Sequence, residues 1–225
     1  MMKRLLALTL FAVILGILAE TIVQGEENMN ALEREIEYQK IMTRQLGKYL
    51  KEKFAGKKAI IIKAPYYKED FPYWVGLKEG LGGAITIVDT VCPEPPNGAS
   101  DMAKMPPPET WYTKAVLEKL LRGKEADLVI TLIGLPMDVL CTGKEFNANC
   151  LKNKKVVFAG GSIYEHGRGF AMECIAAGVT YKPNPEYDDR PIPKDLQAAF
   201  DRRYLLVTSE NFKEIIRKYP DRFQH

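Results

Sequence analysis

The residues with the clearest capacity for chemistry lie in one short stretch that follows an apolar run. After Val156–Ala159 come two glycines and four polar side chains: Gly160, Gly161, Ser162, Glu165, His166 and Arg168. Glycines in this position usually serve a tight turn. Backbone N–H groups at the start of the next helix could also bind an anion, with Arg168 adding charge. A third interpretation is a hydrolase in which His166 acts with Ser162 or Glu165.

Specific enzyme signatures do not accompany this stretch. The sequence has no GxGxxG after its first apolar run, no GxxxxGK[ST] and no GxSxG, which disfavours a dinucleotide site, a P-loop and a nucleophile elbow. It also has no CxxC and too few histidines and cysteines at suitable spacing for zinc. We therefore expect no cofactor and no metal, and the favoured interpretation is a turn that borders a pocket.

Aromatic and polar side chains also follow the other apolar runs. Tyr66 and Tyr67 come after Ala59–Ile62, and Asp138 comes after Leu128–Ile133. Parallel strands end at the same edge of a sheet, where ligands of open α/β folds bind. Aromatic walls with a few convergent polar groups are typical of pockets. The sequence predicts one pocket lined by Tyr66, Tyr67, Asp138, Gly160, Gly161, Ser162, Tyr164, His166 and Arg168.

Apolar runs separated by amphipathic stretches predict the elements that position these residues. The predicted strands cover residues 59–62, 84–91, 128–133, 156–159, 178–181 and 205–207. The predicted helices cover residues 27–55, 71–81, 111–122, 169–177 and 211–219, with loops at 93–108 and 183–193. Strands without polar alternation, separated by helices, indicate a parallel sheet covered on both faces. We expect a three-layer, doubly wound α/β fold with a mainly parallel sheet of five or six strands.

The N-terminus has the pattern of an export segment. Lys3 and Arg4 precede the uncharged run Leu5–Ala19, as in a secretory signal. Extended through Val23, the run approaches the roughly 20 residues that span a bilayer, so an uncleaved anchor remains an alternative. The predicted location is periplasmic or otherwise extracytoplasmic. The expected organisation is a signal peptide or anchoring apolar helix (1–25), an amphipathic helix (26–56) and one α/β domain (57–225).

Charge and cysteine content limit the partners and the crosslinks. The chain has 32 basic and 29 acidic residues, and two of the basic ones belong to the N-terminal segment. This near balance gives no reason to expect nucleic acid as a partner. Four cysteines in an exported chain permit disulfides. Cys141 and Cys150 are the closest in sequence and the best candidates, whereas Cys174 lies among apolar residues and is expected to be a buried free thiol.

Four segments carry a resemblance to a known family: KKAIIIKAPYY, WVGLKEGLGGAITIVDT, EADLVITLIGLP and NKKVVFAGG. Their pattern and order resemble one lobe of the type I periplasmic solute-binding proteins, the receptors of ABC transporters, and more loosely flavodoxin-like domains. The resemblance implies a non-enzymatic domain that binds a small molecule, senses or scaffolds. A homodimer or a partner protein would then supply the second lobe. The alternative is an exported hydrolase that uses His166 with Ser162 or Glu165.

Overall fold

The computed structural model describes residues 29–96, 106, 110–161, 163–187 and 190–223. The strands are β1 Lys58–Ile62, β2 Thr86–Val91, β3 Leu128–Thr131, β4 Cys141–Thr142, β5 Glu145–Phe146, β6 Lys155–Phe158, β7 Ile175–Tyr181 and β8 Tyr204–Thr208. The α-helices are α1 Ala31–Phe54, α2 Pro72–Leu81, α3 Lys114–Leu121, α4 Gly167–Ala171, α5 Leu196–Arg203 and α6 Phe212–Lys218. The predicted export segment and Ser162 lie outside the described residues. Within these ranges, no helix is both long and apolar enough to cross a bilayer.

Six strands form one sheet in the order β2-β1-β3-β6-β7-β8. All neighbouring pairs are parallel except β7 and β8, which are antiparallel. The predicted doubly wound, mainly parallel α/β fold is therefore confirmed. Strand order reverses at β1, because β2 lies on one side of it and β3 on the other. Such a reversal is the point where open α/β sheets form a crevice for ligands.

Alternate residues of the strands supply the two cores on either side of the sheet. In β1, Ile61 packs with α1, α2 and α5, whereas Ile60 and Ile62 pack with α3, α4 and α6. All three isoleucines are fully buried, which explains why this strand reads as a continuous apolar run. Helix α1 belongs to the first core, since Leu46 and Leu50 are also fully buried there.

Helix α1 begins at a capping box. The side chain of Asn30 accepts from the backbone N–H of Glu33 at 3.0 Å, and the Glu33 carboxylate accepts from the backbone N–H of Asn30 at 2.9 Å. Its long contact with α2 depends on glycines, since a Cβ on Gly47 would lie 2.8 Å from Gly80 Cα. Helix α1 therefore packs closely on α2.

Several boundaries, one connection and one helix differ from the sequence predictions. The helix predicted over residues 169–177 ends at Ala171, and Ile175 already begins β7. The chain turns at Glu173 with φ of +60°, which ends the helix early. The polar segment after Cys141 forms the hairpin β4–β5, with Gly143 at φ of +67° in its turn. Helix α5, capped by the Asp195 side chain on Ala198 N–H at 2.7 Å, was not predicted.

Candidate functional site

A cavity of about 250 Å³ lies at the carboxyl edge of the sheet, where strand order reverses. We call it the aromatic pocket; its lining residues are Ala64, Tyr66, Tyr67, Tyr73, Trp111, Leu132, Ile133 and Gly161. Ala64 comes two residues after β1, and Leu132 directly follows β3. The sheet topology therefore places the pocket where a ligand site is expected in this fold class. Four of its eight lining residues are aromatic and none is charged.

The aromatic wall is packed against itself. Tyr67 stacks on Phe71 with ring centroids 3.7 Å apart and an interplanar angle of 13°. Tyr66 meets Tyr67 edge-on at 4.9 Å, and Phe71 meets Tyr73 edge-on at 5.4 Å. Burial raises the pKa of both Tyr67 and Tyr73, so their phenols stay protonated and neutral. These ring contacts hold the aromatic side chains of the wall against one another.

Two polar anchors hold the loop that carries this wall. The Lys63 ammonium donates to the backbone carbonyl of Tyr67 at 2.8 Å. The Glu69 carboxylate accepts from Trp74 Nε1 at 2.9 Å and from Lys78 Nζ at 3.0 Å. The hydrogen bond from Trp74 and then that from Lys78 lower the pKa of Glu69. Both ends of the segment between β1 and α2 are thereby fixed.

Glycines let the loops after β3 and β6 approach each other at the base of the pocket. Gly161 has φ of +84°, and a Cβ there would lie 3.0 Å from Gly134 Cα. A Cβ on Gly160 would collide with the carbonyl oxygen of Leu132. Thr131 Oγ1 donates to the Gly134 carbonyl at 2.6 Å and steadies the turn after β3. The glycine pair thus serves close backbone packing beside the pocket.

A second cavity, of about 220 Å³, lies between the β4–β5 hairpin and α4. We call it the hairpin cavity; its lining residues are Val139, Leu140, Cys141, Thr142, Phe146, Glu165, His166, Arg168, Gly169 and Ile175. The structure therefore distributes the predicted site over two cavities. Tyr66, Tyr67 and Gly161 line the aromatic pocket, whereas His166 and Arg168 line the hairpin cavity.

Two of the other predicted residues have structural partners. Asp138 accepts from the backbone N–H of Lys114 at 2.8 Å, at the start of α3. The Tyr164 hydroxyl donates to the backbone carbonyl of Tyr181, and its ring lies 5.0 Å from that of Phe223. Neither Asp138 nor Tyr164 lines either cavity.

The His166 ring lies against the core. Its ring centroid is 4.8 Å from that of Phe158. Burial lowers the pKa of His166, and the nearby Glu165 carboxylate opposes this effect. Among the described residues, no hydroxyl or carboxylate is hydrogen-bonded to the imidazole, and Ser162 lies outside them. The geometry gives no support to a hydrolytic pair.

The disulfide joins Cys141 to Cys174, across 33 positions of sequence, and Cys150 is a free thiol. The predicted Cys141–Cys150 pair is therefore wrong, as is the prediction that Cys174 is a free thiol. The hairpin explains this difference. Cys141 lies in β4 and pairs with Phe146 of β5, whereas Cys150 lies beyond the hairpin, in the 3₁₀ turn Asn149–Leu151. Burial raises the pKa of the Cys150 thiol to about 11.

Sequence reasoning missed several residues of the aromatic pocket. Tyr73 follows Pro72 at the start of α2, and Trp111 ends a proline-rich segment just before the α3 N-cap at Thr113. Aromatic residues that flank predicted loop boundaries could have suggested both. Leu132 and Ile133 fall at the end of the predicted strand 128–133, and this position gives no signal of a pocket.

No family model and no curated protein matches the sequence. Among solved structures, the chain is similar to a protein from Mycobacterium smegmatis, with 10% identity, a TM-score of 0.47, and coverage of 82% of this chain and 62% of that one. It is also similar to a sugar ABC transport system substrate-binding protein from Bordetella parapertussis, with 14% identity, a TM-score of 0.42, and coverage of 64% and 42%. The Caulobacter myo-inositol binding protein bound to myo-inositol shows 14% identity, a TM-score of 0.45, and coverage of 78% and 60%. The chain thus spans between 42% and 62% of the length of these proteins.

Proposed function

We propose that this chain binds a small, uncharged, hydroxylated ring compound, such as a sugar or cyclitol, in the aromatic pocket. The observation that carries the proposal is a cavity at the strand-order reversal whose lining is half aromatic and wholly uncharged. Pockets of this composition recognise a ligand by shape and by a few polar contacts. Non-enzymatic binding is the function that this geometry supports best.

The lining fits the two kinds of surface that such a ring presents. The faces of aromatic side chains pack against the C–H faces of a saturated ring. Tyr and Trp suit this role because each combines an apolar ring with one polar group. The phenols of Tyr66 and Tyr73 can donate to and accept from ligand hydroxyls. The volume of about 250 Å³ is below the roughly 300–1,000 Å³ of pockets for drug-sized molecules. A single ring is therefore favoured over a nucleotide.

Charged ligands fit this pocket poorly. Burying an ionised group is costly unless a counter-charge compensates it, and no lining residue of the aromatic pocket carries one. The Lys63 ammonium, on the residue before the lining residue Ala64, donates to the Tyr67 carbonyl at 2.8 Å and lies 3.8 Å from the Glu69 carboxylate. The pocket should therefore prefer a neutral ring to its phosphorylated or oxidised acid form.

Calorimetric titration with myo-inositol, glucose and ribose, and with glucose 6-phosphate and gluconate, tests the proposal. We expect saturable binding of at least one neutral compound and much weaker binding of the two acids. Trp111→Leu should raise Kd about tenfold, because it removes one aromatic face. The control Tyr187→Leu changes an exposed aromatic outside the pocket and should leave Kd unchanged. No heat with any neutral compound, or an unchanged Kd for Trp111→Leu, would contradict the proposal.

We further propose that the chain acts outside the cytoplasm. The basic pair Lys3 and Arg4 before Leu5–Ala19 supports export, and the Cys141–Cys174 disulfide supports an oxidising compartment. Alkaline phosphatase fused after Asn28 should be active in a bacterial host and lose activity when Leu5–Ala19 is deleted. Resistance of the full chain to a carbonate wash would assign an uncleaved anchor. An inactive fusion would contradict export.

A further inference from the structure

The hairpin cavity has walls that are fixed from both sides. Asn147 Nδ2 donates to the Asp138 carbonyl at 3.0 Å, and Asn147 Oδ1 accepts from the backbone N–H of Leu140 at 3.0 Å. The Cys141–Cys174 disulfide ties the hairpin to the start of β7. On the opposite wall, Gly169 lets α4 lie directly on Ile175. The cavity is therefore a built part of the fold.

Two opposite charges line this cavity without neutralising each other. Glu165 and Arg168 are three positions apart in consecutive helical turns, a spacing that places side chains on the same side. Both are exposed, and neither has an ion-pair partner within the part of the chain that the structure describes. His166, between them, packs on Phe158. The rim of the cavity thus offers one carboxylate and one guanidinium.

The rest of the lining is mostly apolar. Val139, Phe146 and Ile175 are buried, whereas Leu140 has 58% of its surface exposed. A volume of about 220 Å³ equals roughly seven water molecules at about 30 Å³ each. This is the scale of one small amphiphilic molecule, and Leu140 offers the exposed apolar surface for its apolar part.

We propose that the hairpin cavity is a second binding site and that its ligand is the zwitterion of an apolar α-amino acid. Arg168 binds the α-carboxylate through its planar set of donors, and Glu165 accepts from the α-ammonium group. The apolar side chain then lies on the hydrophobic lining. A simple anion would be repelled by Glu165, and a simple amine by Arg168, so only a molecule with both charges satisfies the pair.

This site is separate from the aromatic pocket, because the two cavities share no lining residue. Its test is therefore independent of the proposed function. Saturation with leucine should leave the binding of neutral ring compounds unchanged. Neither proposal falls if the other one fails.

Calorimetric titration with L-leucine, leucinamide and 4-methylvalerate tests the inference. Leucinamide lacks the carboxylate, and 4-methylvalerate lacks the ammonium group. We expect L-leucine to bind the wild-type chain and each of the two analogues to bind about tenfold more weakly or worse, since each loses a charge-assisted hydrogen bond. Failure of L-leucine to bind at millimolar concentration would overturn the proposal, as would equal binding of L-leucine and 4-methylvalerate.

Substitutions of Arg168 and Glu165 test whether these two charged side chains bind the ligand. Arg168→Gln and Glu165→Gln should each raise the Kd of L-leucine about tenfold or more. The matched controls Arg122→Gln and Glu125→Gln change exposed charges that do not line the hairpin cavity and should leave Kd unchanged. Equal thermal unfolding of all four variants shows that the fold is intact. Wild-type affinity in both Arg168→Gln and Glu165→Gln would overturn the proposal.

Discussion

The aromatic pocket and the hairpin cavity are built in different ways. The aromatic pocket lies at the ends of β1 and β3, so the order of the parallel strands determines its place. The hairpin cavity exists because the connection between β3 and β6 forms a hairpin that is crosslinked to the start of β7. The first site follows from the topology of the sheet, whereas the second depends on a crosslink and on local hydrogen bonds. A substitution in the central sheet should therefore impair ligand binding at both cavities. A substitution that affects only the hairpin should impair binding at the hairpin cavity alone.

The largest expected effect comes from the support that both sites share. Ile61→Asp places a carboxylate at a fully buried position of β1, which costs several kcal/mol out of a typical stability of about 5–15 kcal/mol. Urea unfolding followed by circular dichroism should show a mostly unfolded chain that binds neither ligand class. Val88→Asp, at a position of β2 with 43% exposure, is the control and should stay folded. A wild-type unfolding midpoint for Ile61→Asp would refute the placement of β1.

The disulfide should support mainly the hairpin cavity. Cys174→Ser opens a loop with a sequence separation of 33, which costs about 2–4 kcal/mol in the chain-entropy model. We expect lower stability and a selective loss of L-leucine binding, with neutral ring compounds still bound. Cys150→Ser, which changes a free thiol, is the control. Non-reducing peptide mapping that finds Cys141 bridged to Cys150 would contradict the account.

One glycine in each region allows a matched comparison. Gly161→Ala puts a side chain at φ of +84° and 3.0 Å from Gly134 Cα, and backbone strain of this kind costs about 1–3 kcal/mol. Gly143→Ala in the hairpin turn has φ of +67° but open space around its Cβ. The difference between their unfolding free energies isolates the close approach beside the aromatic pocket. Equal losses would mean that the loops after β3 and β6 do not pack closely.

The smallest expected effect is a pH dependence at His166. Because burial lowers its pKa below the ordinary 6.5, the unfolded chain takes up the proton first as pH falls. The stability that the neutral imidazole contributes is therefore present above 6.5 and is lost as pH falls toward the lowered pKa. The free energy of unfolding of His166→Gln should decline less over this window than that of the wild type. Identical pH profiles would place His166 in solvent.

The parts of the structure that were predictable from sequence are those where one physical signal acts alone. Continuous apolar runs marked β1 and β3 because both faces of the sheet are covered. Tyr66, Tyr67 and Gly161 were then expected at one edge, since parallel strands end together. Each of these inferences needs only burial and chain direction.

The remaining parts depend on contacts between distant segments. The strands β4 and β5 have two residues each and are too short to show an alternation of apolar and polar residues. The sequence therefore indicates only a polar loop after Cys141. Cys141 pairs with Cys174 because the hairpin brings them together, and nearness in sequence favoured Cys150 instead. The division of the predicted site into two cavities follows from the same hairpin, which draws His166 and Arg168 into its own lining.

The central claim, that the aromatic pocket binds a neutral ring compound, is tested most directly at Trp111. The chain has two tryptophans: Trp111 lines the pocket, whereas Trp74 is buried outside its lining and donates to Glu69. Fluorine NMR of the chain labelled with 5-fluorotryptophan should give two resonances, assigned with Trp111→Phe. Titration with myo-inositol, glucose and ribose should shift the Trp111 resonance in a saturable way for at least one compound and leave Trp74 in place, while L-leucine moves neither. A Trp111 resonance that stays fixed with every neutral compound would contradict the account.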